Sequence, residues 1–212
     1  TTLLHILSSF IPDYERVITA EDAAELRLPQ EHVVKFETRP PNLEDRGAIS
    51  IRDLVKNALR MRPDRIVIGE CRGPEALDML QAMNTGHDGS MTTLHANSTK
   101  DAVTRLHSMI LLSGIELPVR AINEMISSAI QIIIQINRFS DGSRKITGIS
   151  ETVGLDEDYH LTLKDIFVFK QAGIDENGKV IGEYKSTGYV PICFEDFVTQ
   201  GSQLDEKIFV AD

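Results

Sequence analysis

From Thr1 to about Ser113, short β-branched runs alternate with segments of helical periodicity. Such alternation is typical of βαβ units, in which successive strands lie parallel in one sheet and helices cover its faces. The clearest run, Arg65–Glu70, is apolar and ends in an acid. The pattern predicts an α/β fold with a parallel sheet, and ligands of such sheets bind beyond the carboxyl ends of the strands.

Two regions of different character are predicted. In the first, strands are expected at 16–19, 32–36, 65–70 and 90–95, and helices at 3–7, 50–62, 74–86, 101–112 and 118–128. Beyond Ala129, strands are expected at 130–139, 145–151, 164–170 and 180–184, with Asp- and Gly-containing turns that favour hairpins and a short helix near 194–198. We therefore expect an α/β core at 1–128 and an antiparallel β-rich extension of the same domain at 129–212.

Composition argues against a nucleic-acid-coating protein. The chain has 22 Lys and Arg against 32 Asp and Glu, a formal charge of −10, and a pI near 5.1. A basic stripe is the usual footprint of phosphate-backbone binding, so no nucleic-acid partner is expected. The two cysteines, Cys71 and Cys193, fit no C-x-x-C spacing, which favours two reduced thiols in a cytoplasmic protein.

The sequence shows neither a signal peptide nor a membrane span. The first residues lack a basic stretch that leads into an apolar core and a cleavage site. The longest apolar stretch, Ala129–Ile136, is interrupted by Gln131 and Gln135 and is shorter than the roughly 18 residues that a span requires. We expect a soluble protein, or at most a peripheral one.

Three predicted strands deliver functional groups at their carboxyl ends: Glu21 and Asp22 after the first, Glu70 after the third, and His95 after the fourth. Carboxylates and an imidazole at one sheet edge suit Mg²⁺ chemistry, water activation and charge stabilisation. A transition-metal site that uses Cys71 is the alternative. It is disfavoured because no pair of potential ligands has the i, i+3 or i, i+4 spacing of a helical metal site.

These segments, in their order and in their residue sequence, resemble motifs of the secretion ATPase superfamily of type II and type IV secretion and pilus assembly. Ile18–Leu26 is similar to the family's Asp box, Leu59–Glu70 to its Walker B region, and Thr85–Ser98 to its His box. The resemblance covers about residues 1–128 and is strongest to the tight-adherence (Tad/Flp) pilus branch. It implies a RecA-like P-loop ATPase sheet that uses ATP and Mg²⁺.

The family's phosphate-binding loop ends in Gly-Lys-Thr-Thr-Leu-Leu, and this chain opens with Thr1-Thr2-Leu3-Leu4. We therefore expect the glycine loop and its lysine to be cut away and the chain to be the C-terminal motor portion of a longer protein, which leaves ATP binding by the chain itself open. The resemblance implies that the Thr1 hydroxyl ligates Mg²⁺ and that Thr2 contacts phosphate.

Carried over residue by residue, the resemblance makes Glu21 the carboxylate that orients or deprotonates the attacking water. Glu70 would hold Mg²⁺ through its water molecules, and the two roles could be exchanged. Walker B strands usually carry Asp before Glu, and here Gly69 stands in that place, as the family's pattern has it. Asp22 would act through one of these neighbours.

The histidines and arginines complete the expected nucleotide site. His95 would donate to the γ-phosphate and signal its loss to the strand, and His87 is a weaker candidate because glycines flank it. An arginine could stabilise transition-state charge across a subunit boundary, as arginine fingers do. Arg60, Arg62 and Arg72 are the candidates. A purely structural role is an equal alternative, since Arg62-Pro63-Asp64-Arg65 could form a salt-bridged turn.

The function implied is ATP hydrolysis that powers pilus assembly or protein secretion. Family members form hexameric rings, act on inner-membrane platform proteins, and work at the cytoplasmic face of the inner membrane. One alternative is a non-hydrolysing ring-assembly and platform-binding module. The other is a conjugation or effector-translocation ATPase of the same superfamily.

Overall fold

The computed structural model describes residues 1–211. By their contacts these residues form two compact units. Unit 1 comprises residues 1–95 with 106–118, and unit 2 comprises residues 96–105 with 119 onward. The expected division after Ser128 separates regions of sequence character rather than contact units, and it stays a prediction.

Unit 1 contains a four-stranded parallel sheet in the order β2-β1-β3-β4. Its elements are α1 Thr2–Ser8, β1 Val17–Glu21, β2 Val33–Glu37, α2 Ile51–Ala58, a 3₁₀ turn at Leu59–Met61, β3 Arg65–Ile68, α3 Glu75–Met83 and β4 Met91–Thr92. The helix α4, Thr99–Leu111, begins in unit 2 and ends in unit 1.

The core of unit 1 lies on both faces of its parallel sheet. All five residues of β1 are buried, and successive side chains point to opposite faces of the sheet. Leu4 of α1 packs with Val17 and Val67 in one apolar cluster. A capping box begins α2, where the Ser50 hydroxyl accepts from the Asp53 amide and the Asp53 carboxylate accepts from the Ser50 amide.

Unit 2 contains a four-stranded antiparallel sheet in the order β5-β6-β7-β8. Its elements are α5 Val119–Ala129, β5 Ile132–Arg138, β6 Arg144–Leu155, β7 Leu161–Ile174, β8 Val180–Ser186, α6 Cys193–Thr199 and a 3₁₀ turn at Glu206–Phe209. The predicted class, an α/β core with a parallel sheet followed by an antiparallel β-rich region, is confirmed.

Three strands differ clearly in length from their predictions: β4, β6 and β7. The long strands β6 and β7 contain 12 and 14 residues, because β-bulges at Ile149/Ser150 and Thr152/Gly154 shift the alternation that marks a strand in the sequence. β4 contains only two residues, although the Thr93 carbonyl beyond it still accepts from the Cys71 amide at 2.8 Å.

One buried carboxylate secures the C-terminal segment to the sheet of unit 2. Glu151 on β6 is 3% exposed. Its Oε2 accepts from the Tyr189 hydroxyl at 2.6 Å and the Ile192 amide at 2.8 Å, and its Oε1 accepts from the Cys193 amide at 3.1 Å. Both carboxylate oxygens are therefore satisfied.

Among the helices of residues 1–211, none combines the length and the apolar character that a membrane crossing requires.

Candidate functional site

Glu21 is the last residue of β1 and is 4% exposed. Its Oε2 accepts hydrogen bonds from the backbone amides of Glu25 and Leu26, each at 3.0 Å. Its Oε1 is buried and has no protein partner. A buried carboxylate oxygen without a donor is costly and uncommon, so this atom fits a bound water or cation.

Gly69 explains how the Glu21 side chain is accommodated. β1 and β3 are neighbours, and the Gly69 amide donates to the Ala20 carbonyl at 3.0 Å. A Cβ atom at position 69 would lie 3.0 Å from Cγ of Glu21. The space that the aspartate side chain of a usual Walker B strand would occupy is thus taken up here by the side chain of Glu21.

Glu70 follows β3 directly and makes contacts through both carboxylate oxygens. Its Oε2 lies 2.6 Å from Nη2 of Arg72, and its Oε1 lies 3.1 Å from Nε2 of His95. The His95 side chain is 84% exposed, whereas that of Glu70 is 21% exposed. The ends of β3 and β4 therefore meet at Glu70 and His95, as their parallel pairing predicts.

Arg72 joins the ends of two strands. Besides its bond to Glu70, its Nη1 lies 3.6 Å from Oδ2 of Asp22. The hydrogen bond to Glu70 and the nearby carboxylates raise the pKa of Arg72. One guanidinium thus stands among three carboxylates, those of Glu70, Asp22 and Glu75, and the local charge balance favours a cation at this edge.

A cleft of about 470 Å³ opens beside these carboxylates. Its lining residues come from the strand ends and from the loop between β2 and α2: Asp22, Thr38, Arg39, Pro40, Ala48, Ile49, Ser50, Ile51, Glu70, Arg72, Gly73 and Glu75. Sequence reasoning assigned no role to the loop, but Thr38 donates to Asp22 at 3.3 Å. Arg39 and Ile49 pair through their backbones and close the loop. This pairing leaves no local pattern in the sequence, so sequence analysis could not find the loop's place at the cleft.

The first turn of α1 also lies at the carboxyl edge of the sheet. The Thr1 hydroxyl donates to Oε2 of Glu25 at 3.2 Å, and the amide of Glu25 donates to Glu21. Thr2 is the first residue of α1. Both threonines therefore lie on the side of the sheet where the resemblance requires them.

Three of the candidate residues lie at the opposite, amino edge. Arg60 belongs to the 3₁₀ turn before β3, and Arg62 follows it in the left-handed conformation with φ of 52°. His87 precedes β4, and its Nδ1 lies 3.1 Å from the Ala82 carbonyl. The structure does not bring these three residues to Glu70, and their roles stay predictions.

The donor set at the carboxyl edge suits Mg²⁺, which takes oxygen ligands and retains several waters. The available oxygens are the buried Oε1 of Glu21, the carboxylate of Glu70 and the hydroxyl of Thr1. No cluster of three or more His, Cys, Asp or Glu side chains with metal-binding geometry occurs within residues 1–211. Burial raises the pKa of Cys71 to about 12, which keeps its thiol protonated and disfavours the thiolate needed for a transition-metal site.

Residues 1–177 match the family model described as Type II/IV secretion system protein. The chain belongs to this family. A Mycobacterium tuberculosis protein that is provisionally assigned to conjugal transfer is 39% identical over 150 residues, which cover 71% of this chain and 42% of that protein. The type IV secretion system protein PtlH of Bordetella pertussis is 39% identical over 141 residues, which cover 65% of this chain and 42% of PtlH.

The crystal structure of the VirB11 ATPase from the Brucella suis type IV secretion system, in complex with sulphate, is similar to this chain. It superimposes with a TM-score of 0.63 at 31% identity, covering 71% of this chain and 44% of that one. The chain spans less than half the length of these three relatives. The secretion ATPase resemblance and the fold class that it implies are thus confirmed, and the tight-adherence branch stays a prediction.

Proposed function

We propose that the full-length gene product hydrolyses ATP and uses the energy to power protein secretion or pilus assembly. The observation that carries the proposal is the pair of carboxylates across Gly69. Glu21 offers a buried oxygen without a protein partner, and Glu70 lies at the end of the neighbouring strand. Family membership and the likeness to an ATPase structure support the same activity.

The two glutamates differ in a way that suggests separate roles. Both oxygens of Glu70 contact cationic or switchable donors, whereas Glu21 keeps one oxygen for a small ligand. Glu21 would therefore orient the attacking water and accept its proton, and Glu70 would hold Mg²⁺ through its water molecules. The exchanged assignment remains the alternative. Mg²⁺ would neutralise charge that develops on the phosphate oxygens.

The remaining residues of the carboxyl edge serve the nucleotide. The Thr1 hydroxyl would ligate Mg²⁺ and Thr2 would contact phosphate. His95 is exposed, and its imidazole can donate to the γ-phosphate once it no longer contacts Glu70. Asp22 acts through Arg72, which bridges it to Glu70.

The wider assignments belong to the same proposal. We infer a homo-hexameric ring that contacts inner-membrane platform proteins at the cytoplasmic face, with the tight-adherence pilus branch as the cellular setting. A conjugation or effector-translocation ATPase is the second candidate. It is favoured by the 39% identity to the provisionally assigned conjugal transfer protein and to PtlH.

ATP turnover by the full-length product, with and without Mg²⁺, tests the activity. Glu21→Gln and Glu70→Gln should each lower kcat by about 100-fold or more, because a positioned acid or base contributes roughly 10²–10⁴ to a rate. Glu176→Gln, an exposed change in a turn of unit 2, is the control and should retain turnover. Ring formation without any turnover would instead support the non-hydrolysing assembly module.

A further inference from the structure

Glu75 is the first residue of α3 and lines the cleft beside Glu70 and Arg72. Its side chain is buried, with 9% of the residue exposed. Its Oε1 accepts from two backbone amides that precede the helix, Arg72 at 2.6 Å and Gly73 at 2.8 Å. An acid in the first turn commonly stabilises the helix dipole, but these two bonds reach back into the turn that follows β3.

That turn, residues 70–73, carries two groups of the site and is held from both sides. Toward the sheet, the Cys71 amide donates to the Thr93 carbonyl at 2.8 Å. Toward the helix, Glu75 binds the next two amides. A Cβ atom at Gly73 would lie 3.3 Å from Oε2 of Glu75, so the turn and the carboxylate are closely fitted.

The position of the Arg72 side chain depends on this backbone. The side chain is 64% exposed, so packing contributes little to its placement. Its guanidinium nevertheless reaches Glu70 at 2.6 Å and Asp22 at 3.6 Å. Release of the Arg72 and Gly73 amides would let the turn move and the bridge between the two carboxylates lengthen.

We propose that Glu75 is a positioning residue for ATP hydrolysis, acting by fixing the turn that presents Arg72 to Glu70 and Asp22. The inference rests on the proposed function. Its action requires an acceptor oxygen at the reach of a glutamate, and it requires Arg72. It does not require a negative charge, because both donors are neutral backbone amides.

The test compares kcat and KM for ATP in the full-length protein with Glu75→Ala, Glu75→Gln, Arg72→Ala and the double variant Glu75→Ala with Arg72→Ala. Glu75→Ala should lower kcat about 10- to 100-fold, because small misplacements of catalytic groups have effects of this size. KM should stay within about twofold, since substrate binding is not the function affected. Glu75→Gln, which keeps the acceptor oxygen, should restore kcat to within about threefold of wild type.

The double variant separates positioning from general destabilisation. If Glu75 acts through Arg72, adding Glu75→Ala to Arg72→Ala should change kcat by less than about twofold. The control is Asp175→Ala in unit 2, where one carboxylate oxygen likewise accepts from two backbone amides, those of Asn177 and Lys179. It should lower stability without lowering kcat.

Three results would overturn the inference while leaving the ATPase proposal intact: unchanged kcat in Glu75→Ala, a Glu75→Gln variant as slow as Glu75→Ala, or fully multiplicative effects in the double variant. Absence of turnover in the wild type would reject the ATPase proposal itself. Amide hydrogen exchange then measures whether the hydrogen bonds from the Arg72 and Gly73 amides to Glu75 still form. Faster exchange at Arg72 and Gly73 in Glu75→Ala, with no turnover in any form, would reduce Glu75 to a structural residue.

Discussion

Each of the two sheets contains one buried glutamate, and the two glutamates differ in how many of their carboxylate oxygens accept hydrogen bonds. Glu21 at the end of parallel strand β1 has one oxygen bound by two amides and one oxygen without a protein partner. Glu151 in antiparallel strand β6 has both oxygens bound, by two amides and a hydroxyl. Their exposures are nearly equal, at 4% and 3%.

Burial alone therefore does not distinguish a carboxylate that is proposed to act in catalysis from a structural one. Glu151 stabilises the fold because the chain supplies every donor it needs. Glu21 is left with one oxygen that has no protein partner, which fits the role proposed for it and is the arrangement expected where function is kept at some cost in stability. The hydrogen-bond complement of each carboxylate is the informative difference.

The largest effect is expected when each of the two buried glutamates is replaced by glutamine and the free energy of unfolding is compared. Glu151→Gln leaves one acceptor oxygen for three donors and should lower the free energy of unfolding by about 2–3 kcal/mol, since bonds to a charged group contribute about 1.5–3 kcal/mol. Glu21→Gln should lower it by less than about 1 kcal/mol or raise it, because an unsatisfied buried charge is removed. Urea unfolding of both variants measures the difference, and equal losses would contradict the distinction.

A smaller effect is expected at Gly69. In Gly69→Ala the added methyl lies 3.0 Å from Cγ of Glu21, so the glutamate must shift by a few tenths of an ångström. We expect turnover to fall about tenfold, as a displaced catalytic group predicts. Gly148→Ala is the matched control, because that strand glycine has open space around its Cβ position. A loss of similar size in both would show that strand glycines matter generally, and not the contact with Glu21.

The smallest effect concerns a carboxylate in unit 2 that is satisfied like Glu151 but lies near the surface. Hydrogen bonds from Ser143 and from the Val180 amide lower the pKa of Asp141 from 3.8 to about 2. Because the folded pKa lies below the unfolded value, the stabilisation is fully present above about pH 4 and is lost as the pH falls toward 2. Stability measured between pH 5 and pH 2 should therefore fall less steeply in Asp141→Asn than in wild type, and identical slopes would refute the assignment.

The sequence predicted those parts of the molecule that depend on local pattern and on strand direction. Strands β1, β2 and β3 were identifiable from their apolar runs, and parallel pairing then brings Glu70 and His95 to one edge. The same logic could not locate Arg60 and Arg62. They are close to Glu70 along the chain, but β3 intervenes, and four strand residues span about 13 Å.

Side-chain direction and long-range pairing account for the rest. Nothing in the sequence indicates that Arg72 turns toward Glu70 and Asp22 of its own chain. The role of Glu75 could not be predicted for another reason. An acid at the start of a helix is common, and its hydrogen bonds to preceding amides leave no pattern in the sequence. In β6 and β7 the bulges interrupt the alternation, so their full length emerges only from the pairing.

Cys71 lies between Glu70 and Arg72 in the chain, and its thiol is buried and protonated. Its Sγ donates to Sδ of Met79 at 3.5 Å and accepts from the Thr92 hydroxyl at 3.5 Å. The S–H bond stretches at an infrared frequency where other protein groups absorb little. This site therefore carries a natural vibrational probe, and a change in the electric field around Glu70 on nucleotide binding should shift that band without any label.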